Sequence, residues 1–366
     1  MSWSFKIGRF FGIDVYLHVT FLLLLLGIVG YQYLQTQNWV FAIREMLFIA
    51  MIFFIVVLHE YGHALTARQF GVKTHDITLL PIGGVARLER IPEKPVEEFL
   101  IAIAGPAVNV VLALLCLAWL FLSGDGLPGL RSQLMSGGLV ERLFLVNVSL
   151  VVFNMLPAFP MDGGRVLRSL LAMNMDYVRA TQVAAWVGQM FALVFGVVGL
   201  MYFSAMPMLL LIALFIWVGA SQESAMVAQR SVLAGVRVGQ AMMSDFRTVD
   251  PRDTLETVAL HVLAGFQQDF PVMREGQVVG VITRRDLLSA MARVGREVVV
   301  EEVMQREFVT ARPDELLTDV FPRLQGCECN SMPVVADGKL LGLLSAENIG
   351  ELIMFRNAST RRRTAV

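Results

Sequence analysis

Residues 46–63 read MLFIAMIFFIVVLHEYGH: thirteen residues without a charge run straight into His59-Glu60-Tyr61-Gly62-His63. Imidazoles four residues apart lie on one face of a helix and can grip a single metal ion. Glu60 projects about 100° round from His59, within reach of water at that metal without being a ligand itself. Ionisable groups at membrane depth are costly. A His-Glu-His cluster at the end of an apolar run is therefore read as a functional site, not as a chance match.

Outward from that stretch, the composition is skewed towards a membrane class. Of 366 residues 56% are hydrophobic and only 17% charged, with mean hydropathy +0.62, against about 25% charged in ordinary soluble domains. The long apolar runs fall within 1–222, and 223–366 reads as a soluble module. The fold expected is a polytopic α-helical membrane domain of about six transmembrane helices with short re-entrant or edge β pieces, followed by a soluble α/β part. A net charge of −1 gives no reason to expect nucleic acid. Cys116, Cys327 and Cys329 are too few and too scattered for a disulfide framework or a cysteine zinc site. No small-residue cleavage site follows the first apolar run, so no signal peptide is expected.

Six crossings are expected at about 15–34, 41–65, 99–122, 139–156, 183–203 and 206–220. Residues 1–14 are read as interfacial. Between the second and third crossings, Asp76-Ile77-Thr78-Leu79-Leu80 and Pro81-Ile82-Gly83-Gly84-Val85-Ala86-Arg87 look strand-like. Their glycine pair permits either a tight turn or a close backbone approach, and an edge strand here could pair with an extended substrate. Pro106 within the third span frees a carbonyl that needs a partner, and Asn109 is a polar amide that needs one too. The fourth span ends in Asn154-Met155-Leu156-Pro157-Ala158-Phe159-Pro160-Met161-Asp162-Gly163-Gly164, a helix broken by two prolines. Non-helical backbone at membrane depth is tolerated where it is buried in protein or lines a cavity, so Asp162 can face the metal. On one side of the membrane the loops hold Arg44 and Arg131; on the other lie Lys6, Arg9, Arg68, Lys73, Arg87, Arg90, Lys94, Arg165, Arg168 and Arg179. The positive-inside rule then puts both termini, the soluble part and the chemistry-bearing ends of spans two and four on the cytoplasmic side of the cell's inner or plasma membrane.

Catalytic zinc takes three protein ligands and leaves one position for water. His59 and His63 supply two. The third must come from His18, His75, His261 or a carboxylate, and Asp162 is the best candidate by span, depth and broken helix. Zinc lowers the pKa of water at the open position to about 7, Glu60 is the base expected to take its proton, and Asn154 is the expected donor to the oxyanion.

After residue 222 the chain repeats itself at an offset of 62: Val238 with Val300, Pro251 with Pro313, Pro271-Val272 with Pro333-Val334, and Gly280 with Gly342. Fixed self-similarity of this kind means two copies of one β-α-β-β-α unit packed together. The expected divisions are a membrane domain at 1–222, a linker at 223–236, repeats at 237–297 and 298–356, and a disordered basic tail at 357–366 able to touch anionic lipid.

His59-Glu60-Tyr61-Gly62-His63, Gly83-Gly84, Gly105-Pro106 with Asn109, and Asn154 through Asp162-Gly163-Gly164 together resemble the site-2 proteases, intramembrane zinc metalloproteases. The resemblance covers 1–222, with Met161 where the family often has Leu. It implies His59, His63 and Asp162 as zinc ligands, and as substrate a transmembrane segment of another protein, cut in regulated intramembrane proteolysis. The repeat is similar to a tandem CBS pair, which in other proteins binds adenosyl ligands such as AMP or ATP. The hydroxyl and carboxylate that such sites use match Thr283 and Asp286; the second copy has Ser345 and Asn348. The other roles open to the pair are a scaffold or the contact of a homodimer. The competing class, a transporter or channel under CBS control, would spread charges over several spans and repeat the membrane half itself; here the ionisable groups converge on one point. A membrane zinc protease acting on soluble proteins usually recruits a downstream Glu as third ligand, and none is as well placed as Asp162.

Overall fold

The computed structural model describes residues 3–363 except 82, 90–93, 124–137, 266 and 328. Arg90, Arg131 and the last three residues of the expected tail lie outside the described residues. The chain divides into two compact units, 1–225 and 226–366.

The first unit opens with strands where a loop and a helix were expected. β1 (Ser4–Phe10) and β2 (Ile13–His18) form an antiparallel hairpin. Phe11 and Gly12, with φ of 51° and 85°, make its two-residue turn, and turns with both central residues at positive φ match the twist of such hairpins. β2 then pairs in parallel with β3 (Thr74–Leu80), which pairs antiparallel with β4 (Gly83–Leu88), giving the order β1-β2-β3-β4 with β1 and β4 at the edges. Residues 15–18 were read into the first crossing because they are mostly apolar, and 13–14 into the interfacial stretch before it. Their burial instead alternates, with Ile13 and Val15 buried and Asp14 and Tyr16 half-buried, which is the period of a strand. The parallel pairing is possible because the two long helices between β2 and β3 carry the chain back.

Those helices are α1 (Val19–Thr36), capped by the His18 imidazole, and α2 (Trp39–Gln69), capped by the Asn38 side chain. At 31 residues α2 is about 46 Å long, longer than a hydrocarbon core of about 30 Å. α3 (Pro95–Ser123), α4 (Leu139–Asn154), the short α5 (Asp162–Ala172), α6 (Tyr177–Met201) and α7 (Met208–Leu233) follow. Five of the described helices are long and apolar enough to cross a membrane. The fourth expected crossing, α4, is not among these five: it has 16 residues and spans about 24 Å, because the helix stops before Pro157. The sheet lies on the C-terminal half of α2: Ile13, Val15 and Ile77 pack with Tyr61 and Ala64, the Tyr61 hydroxyl donates to the Phe10 carbonyl at 3.2 Å, and Arg68 donates to Phe11 at 3.1 Å. Gly62 lets α2 and α3 touch, since a Cβ there would stand 2.6 Å from the Ala104 carbonyl oxygen.

The second unit holds both repeats. α8 (Leu255–Ala264), β5 (Phe270–Arg274), β6 (Gln277–Ile282) and α9 (Arg284–Val294) recur as α10 (Leu317–Gln325), β7 (Ser331–Ala336), β8 (Lys339–Ser345) and α11 (Ala346–Arg363). Parallel bridges Val249–Val272 and Ala311–Val334 add the same short third pairing to each hairpin. The opening segment of each copy, however, packs in the other. Val236 and Val238 belong to the core of Leu317, Val334 and Leu344; Val300 and Met304 belong to that of Leu255, Val272 and Ile282. Cutting the chain at 297/298 therefore divides the sequence repeat but not the packed units. Two further expectations change. The stretch 223–236 is helix through Leu233, whose side chain is buried in the second core, so it is no loose linker. The expected tail is helical through Arg363, as an extension of α11.

Candidate metal centre

α2 presents His59 and His63 one turn apart, both buried, and α5 begins with Asp162, also buried. The two Nε2 atoms lie 3.1 Å apart, and each lies 3.1 Å from Asp162 Oδ2. Three ligands about 2.0–2.1 Å from a tetrahedral zinc would stand about 3.3–3.4 Å from one another, so a triangle of this size fits that ion. It is the group of donors among the described residues that could hold a metal.

The protons on the two imidazoles are fixed by what the other nitrogens meet. His63 Nδ1 lies 2.6 Å from the Ile101 carbonyl and His59 Nδ1 lies 2.5 Å from Asn109 Oδ1. A carbonyl oxygen only accepts, so both Nδ1 atoms carry hydrogen and both Nε2 lone pairs are left for a metal. The amide of Asn109 is itself held: its Nδ2 donates to Asn147 Oδ1 at 3.0 Å, and Asn147 Nδ2 donates to the Leu143 carbonyl at 2.9 Å. A chain of hydrogen bonds, each donating onward, thus runs from His59 on α2 through Asn109 and Asn147 to the backbone of α4. Asn147 was not singled out from sequence, although an unexplained amide in an apolar helix was the signal that drew attention to Asn109. The Ile101 carbonyl adjoins that of Ala102, which loses its helical donor to Pro106 and whose turn the proline ring crowds.

Gly105 leaves space open beside both imidazoles. A Cβ there would stand 2.2 Å from His63 Nε2 and 2.7 Å from His59 Nε2. Gly163 and Gly164 bring Asp162 inward: their Cβ atoms would stand 2.2 Å from the Leu156 carbonyl oxygen and 2.6 Å from the Phe159 nitrogen. The other glycine pair opens β4 just after the hairpin turn. Gly83 has φ of 137°, and a Cβ on Gly84 would stand 2.8 Å from Glu60 Cγ, so β4 runs close over the Glu60 side chain.

Glu60 is half-buried and has no hydrogen-bond partner among the described residues. Asn154 ends α4, half-buried, eight residues before Asp162; its amide makes no hydrogen bond to the other described residues. The remaining histidines lie elsewhere: His18 caps α1, His75 is exposed on β3, and the ring of His261 lies near Phe270 in the second unit.

In the second unit a cavity of about 760 Å³ is lined by Thr283, Arg284, Ser345 and Asn348, so the starts of α9 and α11 open onto the same space. Asp286 is not among its lining residues. Its carboxylate accepts from the Thr283 hydroxyl at 2.6 Å and from Gln305 Nε2 at 2.8 Å. Ser345 and Asn348 repeat the first of these contacts at 2.7 Å.

Five long apolar helices, a buried two-histidine and one-carboxylate cluster with an adjacent glutamate, and a following pair of repeats are features of a membrane metallopeptidase. The sequence profile of peptidase family M50 matches 47–137 and 129–196, and that of the CBS domain matches 238–293 and 300–354. A zinc metalloprotease of Methanocaldococcus jannaschii is 32% identical over 362 residues, covering 95% of this chain and 96% of that one. Rip3 of Mycobacterium tuberculosis is 32% identical over 309 residues, 81% of this chain and 78% of the relative. The solved site-2 protease of Methanocaldococcus jannaschii matches at 36% identity and a TM-score of 0.44, covering 61% of this chain and 95% of that one. The chain belongs to peptidase family M50, the site-2 proteases. It is a zinc metalloendopeptidase carrying a tandem CBS pair.

Proposed function

We propose that the enzyme cuts peptide bonds inside transmembrane segments of membrane-tethered proteins, as in regulated intramembrane proteolysis. The observation that carries this is the 3.1 Å triangle of His59, His63 and Asp162, two of whose members stand on α2, a helix long and apolar enough to cross a membrane. These three residues would hold the ion. When bound, zinc acts as a Lewis acid and brings the pKa of water at its open position to about 7. Glu60 takes the proton from the attacking water and returns it to the leaving amine. Asn154, its amide uncommitted among the described residues, donates to the oxyanion. β4 is an edge strand among the described residues and crosses Glu60 at Gly84, so an extended substrate paired to that edge passes beside the base. A peptide bond within a lipid-embedded helix is shielded, so the substrate unwinds locally, as glycines or polar residues allow.

Co-expression with a candidate single-span substrate, with fragments mapped by mass, tests the assignment. Glu60→Gln is expected to keep the metal and to slow cleavage by about 10²–10⁴-fold; Asp162→Ala is expected to lose both metal and cleavage. A fully active Glu60→Gln enzyme would remove Glu60 as the base.

In the same reading the termini and the CBS pair face the cytoplasm, and an adenine nucleotide occupies the cavity at Thr283. Two helix starts and Arg284 suit its phosphates, with Asp286 acting through the hydroxyl it holds. Nucleotide would modulate cleavage to the extent that it binds two states of the pair unequally.

A further inference from the structure

Six residues beyond Asp162, α5 carries an arginine that is almost entirely buried. Arg168 is 1% exposed and Glu98 3%. Arg168 Nε donates to Glu98 Oε1 at 2.9 Å, Nη2 reaches the same oxygen, and Nη1 donates to Glu223. Its guanidinium lies 4.9 Å from the ring centre of Phe159 and 5.1 Å from that of Tyr177. One side chain thereby fastens α5 to α3 through Glu98 and to α7 through Glu223.

The fastening points are placed around the metal triangle. Glu98 stands one turn before Ile101, whose carbonyl orients His63, on the helix that also provides Gly105 and Asn109. Asp162 is the first residue of the 11-residue helix that Arg168 anchors. A metal site tolerates errors of about 0.5 Å in its ligands, and the loop before α5 is broken by Pro157 and Pro160. The short helix therefore needs an attachment to the helix that orients the imidazoles. Stability alone explains the arrangement poorly, because the cost of desolvating a buried ion triad offsets most of its attraction, and apolar replacements are often neutral.

We propose that Arg168 is a positioning residue for the zinc site, holding Asp162 in register with His59 and His63 through Glu98 and Glu223. This rests on the assignment of those three residues as ligands. The test is zinc affinity of the full-length protein in detergent, measured by competition with a chromogenic chelator, beside the melting temperature of the zinc-free protein. Arg168→Met alone would strand the buried Glu98 and the half-buried Glu223, so the charges are removed together in Glu98→Gln/Arg168→Met/Glu223→Gln, and Arg168→Lys keeps the charge without the fork. The triple variant is expected to melt within a few degrees of the parent without zinc, yet to bind zinc about 10–100-fold more weakly. Arg168→Lys is expected to lose about 10-fold. A folded triple variant with parental zinc affinity overturns the proposal; if the triple does not fold, parental affinity in Arg168→Lys overturns it. Asp162→Ala separates the two levels. Undiminished zinc binding in that variant sinks the ligand assignment itself, whereas its loss beside a parental Arg168→Lys sinks the positioning role alone.

Discussion

At the scale of single residues, the meeting of the His59, His63 and Asp162 side chains was legible because it depends on spacing within one helix and on one broken helix. All three could be named for those reasons. Asn147 could not, since nothing in a linear sequence says that it lies under Asn109, 38 residues away. That partner matters. Asn109→Ala would leave the His59 Nδ1 hydrogen without its acceptor and free the ring to turn; zinc affinity measured by chelator competition should fall about 10–100-fold, with the fold retained by circular dichroism. Gly105→Ala acts differently, by occupying the space of the ion. With a Cβ 2.2 Å from one Nε2 and 2.7 Å from the other, zinc retained after purification, measured by atomic absorption, should drop to background. A zinc-replete, active Gly105→Ala enzyme would show that the imidazoles close around the metal elsewhere.

At the scale of elements, hydropathy located the helices and misread the first strands. An apolar stretch such as 13–18 is ambiguous between strand and helix until its burial is seen to alternate. The β3–β4 hairpin was legible because turn glycines and alternating residues mark it, but its position over α2 follows from packing, through Tyr61 and Ala64, which no sequence pattern reports. That position makes Gly84 the contact between the edge strand and the Glu60 side chain. Gly84→Ala places a methyl 2.8 Å from Glu60 Cγ and 3.2 Å from Val56 Cγ1, and Glu60 must swing aside. A displacement of about 1 Å costs a catalytic group on the order of 10²-fold, so with Glu60 as the proposed base cleavage should slow by about that factor while zinc affinity stays at the parental value. The split distinguishes it from Gly105→Ala, and loss of zinc in Gly84→Ala would mean that β4 supports the ligands, not the base.

At the scale of the whole molecule, the 62-residue repeat showed that there are two copies but not how they share their cores. Self-similarity records which segments correspond; it is silent on whether Val236 packs in its own copy or in the next. Because it packs in the next, the chain enters the pair by way of the second core, and it does so as helix: α7 starts in the first unit and ends at Leu233, buried in the second. The two units are contiguous in sequence, so α7 is the single covalent path between them. If adenine nucleotide binds at Thr283 and Arg284, ligand at a hundredfold excess over its Kd should add about 2.7 kcal/mol to the stability of the folded pair, seen as a rise in melting temperature with ATP or AMP that Arg284→Glu removes. No shift and no heat with either nucleotide would leave the scaffold role. The coupling has its own test. A Gly-Gly insertion between Ala228 and Gln229 costs the helix about 2 kcal/mol locally and breaks its stiffness between Glu223 and Leu233. Nucleotide should still raise the melting temperature, and cleavage without nucleotide should persist, but the change in cleavage rate on adding nucleotide should vanish. A rate that responds as before would mean that the signal crosses without the helix.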